Sequence, residues 1–148
     1  MIQEQLAFLP EFLPDYRPFP PARERTVWQE LPQRVKDRFL QAGEAALQTP
    51  LAPLPLSLWL DFTRTGRRAA WEDAYFSRRA RLCALVCAEC VEHKGRFLDA
   101  IADTVWTLCE ESAWQLPAHN SYVRDTPQLP LPDTTRPIVD LFAAETGA

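Results

Sequence analysis

The stretch 67-RRAAWEDAYFSRRARLCALVCAECVEHKGRFLDAIADTVWTLCEESA-113 decides the fold class of this 148-residue chain. It contains no proline, whereas nine of the chain's 14 prolines lie between Pro10 and Pro55 and five between Pro117 and Pro137. Because proline removes a backbone donor and clashes with the preceding helical turn, helices can be continuous in this block. No alternating strand pattern appears, so the predicted fold class is all-α.

Two helices are predicted inside this block. The first runs from about residue 68 to 93. Its apolar stripe includes Trp71, Tyr75, Leu82, Val86 and Cys90. The second, from about residue 97 to 113, is apolar on more than one face, which predicts that it is buried between two layers. Gly95 suits the end of the first helix, so the pair is predicted to form an antiparallel αα-hairpin.

The flanking segments predict shorter helices. One is expected at about residues 31–47, one at 57–64 that ends at Gly66, and one that opens at Pro137. The last pattern stops after about ten residues, which is marginal for an isolated helix, so we expect more chain to follow. The organisation predicted is a proline-rich N-terminal segment with one helix (1–55) and a helical-hairpin region (56–148). The aromatic residues Phe12, Tyr16 and Phe19 predict that the N-terminal segment packs on a surface.

Composition limits the function classes. The hydrophobic fraction of 47% and the charged fraction of 24% are typical of globular proteins, and the net charge of -4 argues against a nucleic-acid partner. No apolar run is long enough to span a membrane. The first residues lack a basic region and contain prolines, so they do not resemble a secretory signal. These features predict a cytoplasmic protein with reduced cysteines and no membrane partner.

The cysteines of the first long helix invite a metal interpretation. Cys83, Cys87 and Cys90 share one face, with His93 nearby, but they are spread over two turns, roughly 10 Å of helix. Zinc needs about four ligands that converge tetrahedrally, so these side chains are predicted to pack in the core and to bind no metal. No cofactor is predicted.

The same region is rich in arginine. Between residues 64 and 81 the only acidic residues are Glu72 and Asp73, against six arginines: Arg64, Arg67, Arg68, Arg78, Arg79 and Arg81. A solvated face with ordinary ion pairs is favoured over an anion site. Glu110 and Glu111 are adjacent and point about 100° apart on a helix, so they do not form a catalytic carboxylate pair. No catalytic motif stands out by spacing, and catalytic residues stay unassigned.

The segment 111-ESAWQLPAHN-120 follows the second long helix. Pro117 pushes the chain out of helical geometry, so His119 and Asn120 are predicted to lie in a loop beside the helix end. A histidine, an asparagine and the flat face of Trp114 suit the binding of a sugar. The alternative, which residue types alone favour, is a capped helix end with a packed tryptophan.

Three stretches resemble the N-terminal helical region of heparinase II/III-like proteins. They are 56-LSLWLDFTRTGRRAAWEDAYFSRRARLCALVCAEC-90, 95-GRFLDAIADTVWTLCEESAWQLPAHN-120 and 131-LPDTTRPIVDLFAAETGA-148. The resemblance covers about residues 56–148. Its most specific parts are "CEESAWQLPAHN" and the later "DLFAAETG".

The resemblance implies part of an (α/α) toroid, with the remainder of the toroid and a β-sandwich domain downstream. Characterised members are polysaccharide lyases that cleave uronic-acid-containing glycans by β-elimination, so the implied partner is an acidic polysaccharide or oligosaccharide. It also implies that Trp114, His119 and Asn120 line the glycan cleft.

The chain is far shorter than a toroid plus sandwich, and none of its tyrosines, Tyr16, Tyr75 and Tyr122, matches the family's catalytic tyrosine. We therefore expect the chain to be an N-terminal fragment that is inactive alone. An alternative of another class is a non-catalytic helical module that binds a protein through its apolar and arginine-rich faces.

Overall fold

The computed structural model describes residues 19–121, 123 and 129–148, in which six α-helices and one 3-10 turn are joined by loops without a β-strand. The all-α prediction is therefore confirmed. The elements are α1 (Arg25–Gln29), α2 (Gln33–Gln48), α3 (Leu56–Thr65), α4 (Ala69–Glu92), α5 (Leu98–Cys109), the 3-10 turn (Pro117–His119) and α6 (Leu141–Gly147).

Helix α4 is the centre of the fold. It packs against α2 along much of its length, against α5 across a short turn, and against α1 and α3 near its ends. Tyr75, Leu85 and Ala88 on α4 have no exposed surface. The predicted stripe was wrong in part, since Val86 is 38% exposed while Arg78 and Glu89 are buried. A helix with several neighbours buries more than one stripe, including polar side chains that hydrogen-bond to those neighbours.

The turn between α4 and α5 is held by a buried carboxylate. Helix α4 ends at His93 in the left-handed region with a φ of 57°, and Gly95 follows with a φ of 81°. The two carboxylate oxygens of Glu89 accept hydrogen bonds from the amides of Gly95 (2.7 Å) and Phe97 (3.3 Å). These amides would otherwise be unpaired donors at the start of α5. The short hairpin turn was predicted, but its dependence on Glu89 was not.

The prediction that α5 is buried between two layers was wrong. Its exposed side chains include Leu98 (53%), Val105 (41%) and Trp106 (68%), whereas Thr104 and Leu108 face inward. Among the described elements, α5 packs chiefly against α4, which covers only one side of it. Its apolar circumference was correctly identified, but periodicity does not show how many neighbours a helix has.

Several boundaries also differ from the predictions. Helix α5 ends at Cys109 rather than near residue 113, and the indole of Trp114 donates to the carbonyl of Leu108 (2.8 Å) in its last turn. The N-terminal segment contains a second, five-residue helix, α1. Phe19 is 77% exposed and does not pack on a surface. Phe12 and Tyr16 lie outside the described residues.

Gly43 sets the distance between α2 and α4. A Cβ added at this residue would lie 2.3 Å from the Cβ of Ala88 and 3.0 Å from Cε1 of Phe97. Only glycine therefore allows the two helices to approach this closely. Gly147 in α6 is a helical glycine without this constraint, since its nearest neighbour would be 3.6 Å away, on Trp114.

We predict that Gly43→Ala lowers the free energy of unfolding by about 1–3 kcal/mol, because overpacking outweighs the helix preference of alanine. Urea denaturation followed by circular dichroism measures the change. The matched variant Gly147→Ala should be neutral or slightly stabilising. Equal effects at the two glycines would show that the α2–α4 contact does not need the missing Cβ.

Candidate functional site

Two tryptophans meet where α3 approaches the start of α4. The rings of Trp59 and Trp71 lie edge to face, with centroids 5.0 Å apart and an interplanar angle of 86°. Trp59 donates from its indole to the carbonyl of Pro130 (3.0 Å). The pair packs with Tyr75 and Leu116, both fully buried. This core cluster therefore joins α3 and α4 to the chain that follows α5.

A pocket of about 250 Å³ opens beside these tryptophans, and we call it the tryptophan pocket. Its lining residues are Leu54, Leu56, Trp59, Trp71, Arg78, Thr107, Glu110, Glu111, Ser112, Ala113 and Pro132. The indole nitrogen of Trp71 is buried and has no hydrogen-bond partner among the described residues. A buried unpaired donor costs free energy.

A buried ion-pair cluster forms one side of this pocket. The side chain of Glu111, only 5% exposed, accepts from Nη1 of Arg78 (3.0 Å) and Nη2 of Arg79 (2.7 Å). Arg78 also donates from Nε to the carbonyl of Ala52 (2.7 Å). Its Nη2 has no partner among the described residues. The prediction of a solvated arginine face was thus wrong for Arg78 and Arg79.

The remaining arginines behave in different ways. Arg64, Arg67 and Arg68 are exposed, as a solvated face requires. Arg81 bonds the carbonyls of Ala46 and Thr49 at the end of α2. Arg78, Glu110 and Glu111 are the charged residues that line the tryptophan pocket, and Arg79 pairs with Glu111 from outside the lining.

Tyr75 is a structural tyrosine. Its hydroxyl donates to the carbonyl of Trp114 (2.7 Å) and lies 3.1 Å from Oγ1 of Thr146, while the guanidinium of Arg79 lies 3.3 Å from the centre of its ring. Burial raises the pKa of Tyr75. The phenol therefore has a structural role in the fold. Tyr16 and Tyr122 lie outside the described residues.

His119 is held at the surface by Asp140. The 3-10 turn brings Nδ1 of His119 within 2.6 Å of Oδ2 of Asp140, and the imidazole stacks on Phe142 with an interplanar angle of 9°. The side chain of His119 remains 37% exposed. Asp140 also accepts from the amides of Leu116 (3.1 Å) and Ala143 (2.7 Å), so it caps α6 and fixes the turn.

Asn120 has a different environment from that of its neighbour. It is 4% exposed, and its amide nitrogen donates to the carbonyls of Leu129 (2.7 Å) and Leu131 (3.0 Å). Its oxygen accepts from Gln115 (3.3 Å). Both amide hydrogens are therefore used inside the protein, and Asn120 holds the loop. A contact between Asn120 and substrate stays a prediction.

Trp114 lines a second pocket of about 340 Å³, which we call the Trp114 pocket. Its lining residues are Cys109, Glu111, Ser112, Ala113, Trp114, Gln115, Pro132, Asp133, Thr134, Pro137, Ile138, Val139 and Ala143. Four of these also line the tryptophan pocket, so the two pockets adjoin across the segment after α5. Of the three predicted site residues, only Trp114 lines a pocket described here; the substrate-binding role of all three stays a prediction.

Sequence reasoning did not identify Trp59, Trp71 and Arg78 as pocket residues. Two tryptophans twelve residues apart, on either side of Gly66, were the available indication. A helix break of this kind allows the rings to meet, but their convergence depends on how α3 packs on α4.

The cysteines of α4 differ in exposure. Cys90 is buried, Cys87 is half-buried and Cys83 is exposed, so the prediction of core packing fails for Cys83. Within the described part of the chain, no three His, Cys, Asp or Glu side chains are arranged to hold one metal ion. Among the same residues, no helix combines the length and apolar content that crossing a bilayer requires.

Comparison with known proteins adds no family assignment. No protein-family model matches the chain, and no curated protein matches it.

We predict that Glu111→Ala lowers the free energy of unfolding by about 3–5 kcal/mol, because it leaves two partly buried guanidinium groups without their carboxylate. Glu110→Ala, at the neighbouring exposed residue, should change it by less than about 0.5 kcal/mol. Urea denaturation of both variants measures the difference. A similar small loss in both would mean that the shared ion pair contributes little.

We also predict a pH-dependent role for Asp140. Burial raises the pKa of Asp140, but hydrogen bonds from the amides of Ala143 and Leu116 and from His119 outweigh burial. The pKa of Asp140 therefore lies below its usual value. A depressed pKa contributes stability above the unfolded pKa of about 3.9, and this contribution is lost as pH falls through the folded pKa.

Asp140→Asn should therefore lower the free energy of unfolding by roughly 1.5–3 kcal/mol at pH 5, relative to the native chain at the same pH. At pH 2.5 the loss should be clearly smaller. Urea denaturation at the two pH values measures this, with Asp73→Asn, on the exposed face of α4, as the control. A cost that does not change with pH would show that the charge of Asp140 is not what stabilises the turn.

Proposed function

We propose that this chain is the N-terminal helical region of a heparinase II/III-like protein and that it binds an acidic oligosaccharide. The binding surface is the groove formed by the tryptophan pocket and the Trp114 pocket. In the complete protein this groove would hold a uronic-acid-containing glycan for cleavage by β-elimination. The resemblance of residues 56–148 to that family supports the proposal from the sequence.

The observation that carries the proposal is the composition of the tryptophan pocket. It combines two indole rings with a guanidinium whose Nη2 has no described partner. Trp59 and Trp71 are 2% and 7% exposed, so they form the apolar floor of the pocket, and a guanidinium suits a carboxylate because its donors match the two oxygens. Arg78 is held by Ala52 and Glu111, so its free donor is already positioned.

The adjoining Trp114 pocket supports a ligand of more than one sugar unit. The two pockets share Glu111, Ser112, Ala113 and Pro132. A short oligosaccharide that follows this segment would contact Trp59 and Trp71 first and Trp114 next. Polar groups at the rim, including Ser112 and Thr107, would bind its hydroxyl groups.

His119 and Asn120 would contribute in different ways. His119 has an exposed side chain fixed in orientation by Asp140 and Phe142, so it would contact the glycan where the chain leaves the groove. Asn120, with its amide engaged by Leu129 and Leu131, would maintain the loop. The hydroxyl of Tyr75 is hydrogen-bonded inside the protein, so we do not propose it for proton transfer. The catalytic acid and base stay unassigned.

We predict that a glucuronate-containing hexasaccharide binds the chain and changes its tryptophan fluorescence. The same hexasaccharide with its carboxylates reduced to alcohols should bind at least tenfold more weakly, because it loses the ion pair with Arg78. Isothermal titration calorimetry measures both affinities. No binding of either oligosaccharide, or equal binding of both, would contradict an acidic-glycan groove at Arg78.

Two surface variants localise the binding. Ser112→Glu places a negative charge where the pockets adjoin and should weaken binding at least tenfold, whereas Ser77→Glu, exposed on α4 outside both pockets, should not. Glu110→Gln removes a negative charge from the rim and should strengthen binding several-fold. If Ser112→Glu and Ser77→Glu have the same effect, the glycan binds elsewhere.

A further inference from the structure

The outer face of α5 forms an apolar ridge. Four side chains at helical spacing make it: Leu98, Ala102, Val105 and Trp106. All four are exposed, and Trp106 is the most exposed of them at 68%. A contiguous apolar surface that includes an exposed tryptophan is typical of a protein-binding site, since tryptophan is enriched among the residues that dominate interface energies.

A groove runs along the surface between α2 and α4. It consists of two cavities of about 390 Å³ and 270 Å³ that share Ala84. Most of the side chains that line it are small. Those of the first cavity are Val35, Arg38, Phe39, Ala42, Cys83, Ala84 and Cys87, and those of the second are Ala45, Ala46, Thr49, Pro50, Ala52, Ser77, Ala80, Arg81 and Ala84.

The ridge and the groove have opposite charge. Helix α5 carries Asp99 and Asp103, both exposed beside the ridge, and contains no Lys or Arg. The residues that line the groove include Arg38 and Arg81 and no acidic residue. Arg38 is exposed and makes no described hydrogen bond or ion pair, so its guanidinium is available to an acidic partner.

We propose that the α5 ridge of one copy of this chain docks in the α2–α4 groove of a second copy. Large side chains on the ridge meet small ones in the groove, and Asp99 and Asp103 approach the arginines at the groove. Both surfaces belong to the same molecule, so a second copy supplies the complementary partner in shape and in charge. Trp106 is the central anchor of the contact.

A contact of this kind is heterologous, because the two copies contribute different surfaces. Each copy then keeps one unused ridge or groove, so association continues beyond a dimer unless the geometry closes into a ring. The ridge and the groove share no residue with the tryptophan pocket or the Trp114 pocket.

Analytical ultracentrifugation tests the proposal. We expect the native chain to associate beyond a dimer as its concentration rises. Trp106→Glu removes the ridge and Ala80→Glu places a negative charge in the groove, and each variant alone should associate at least tenfold more weakly. Both substitutions are at exposed residues, and circular dichroism checks that the helices are retained. Leu141→Glu, at an exposed apolar residue of α6 outside both surfaces and both pockets, is the control and should associate like the native chain.

Mixing the two variants distinguishes this contact from other modes of association. Trp106→Glu retains the groove and Ala80→Glu retains the ridge, so an equimolar mixture should form a one-to-one dimer and stop there. Arg38→Glu, a second groove variant, should behave like Ala80→Glu. The proposal is overturned if the native chain stays monomeric, if the groove variants associate like the native chain, or if the mixture shows no dimer.

Discussion

The carboxylate of Glu111, shared by Arg78 and Arg79, is the interaction on which the candidate site depends. Arg78 also donates a hydrogen bond to the carbonyl of Ala52, in the connector between α2 and α3. Arg79 also donates a hydrogen bond to Oγ1 of Thr146 in α6. A single buried negative charge therefore positions the connector before α3, the segment after α5, and α6 around one face of α4. A buried ion pair is costly unless its hydrogen-bonding groups are paired, and these additional bonds pair further donors of Arg78 and Arg79.

Arginine has the same role elsewhere in the molecule. Arg25 on α1 donates to the carbonyls of Cys90 and Val91 at the end of α4, and Arg81 bonds the last carbonyls of α2. Carbonyls at a helix end have no partner within the helix, and they lie at the negative end of its dipole. The guanidinium groups thus join helices at their ends, where apolar packing is least extensive.

The helices were predictable from the sequence because they depend on local features. Proline-free length, apolar periodicity and glycines such as Gly66 and Gly95 placed most of their boundaries within a few residues. The C-terminal end of α5 was less predictable. Its last turn accepts a hydrogen bond from the indole of Trp114, a residue beyond the helix. The exposure of Trp106 was not predictable either. An apolar face indicates that a helix can pack against a neighbour, but it does not show whether a neighbour is there.

The polar turn after α5 was predicted from the sequence, but the partners of its side chains were not. Pro117 correctly placed a polar turn after α5, but the partners of its side chains lie far along the chain: Asp140 for His119, and Leu129 and Leu131 for Asn120. The burial of Arg78 had the same cause, since Glu111 is 33 residues away. Residue type shows what a side chain can bind, whereas tertiary packing decides which partner it meets.

The separation of these partners along the chain has a consequence for the order of folding. The α4–α5 turn closes over a few residues, whereas the hydroxyl of Tyr75 and the guanidinium of Arg79 meet Thr146 across 71 and 67 residues. Closing a long loop costs conformational entropy before any contact forms, so we expect the hairpin to form before α6 docks. The Trp114 pocket has Ala143 of α6 in its wall, so a chain that has formed the hairpin but has not docked α6 lacks this pocket.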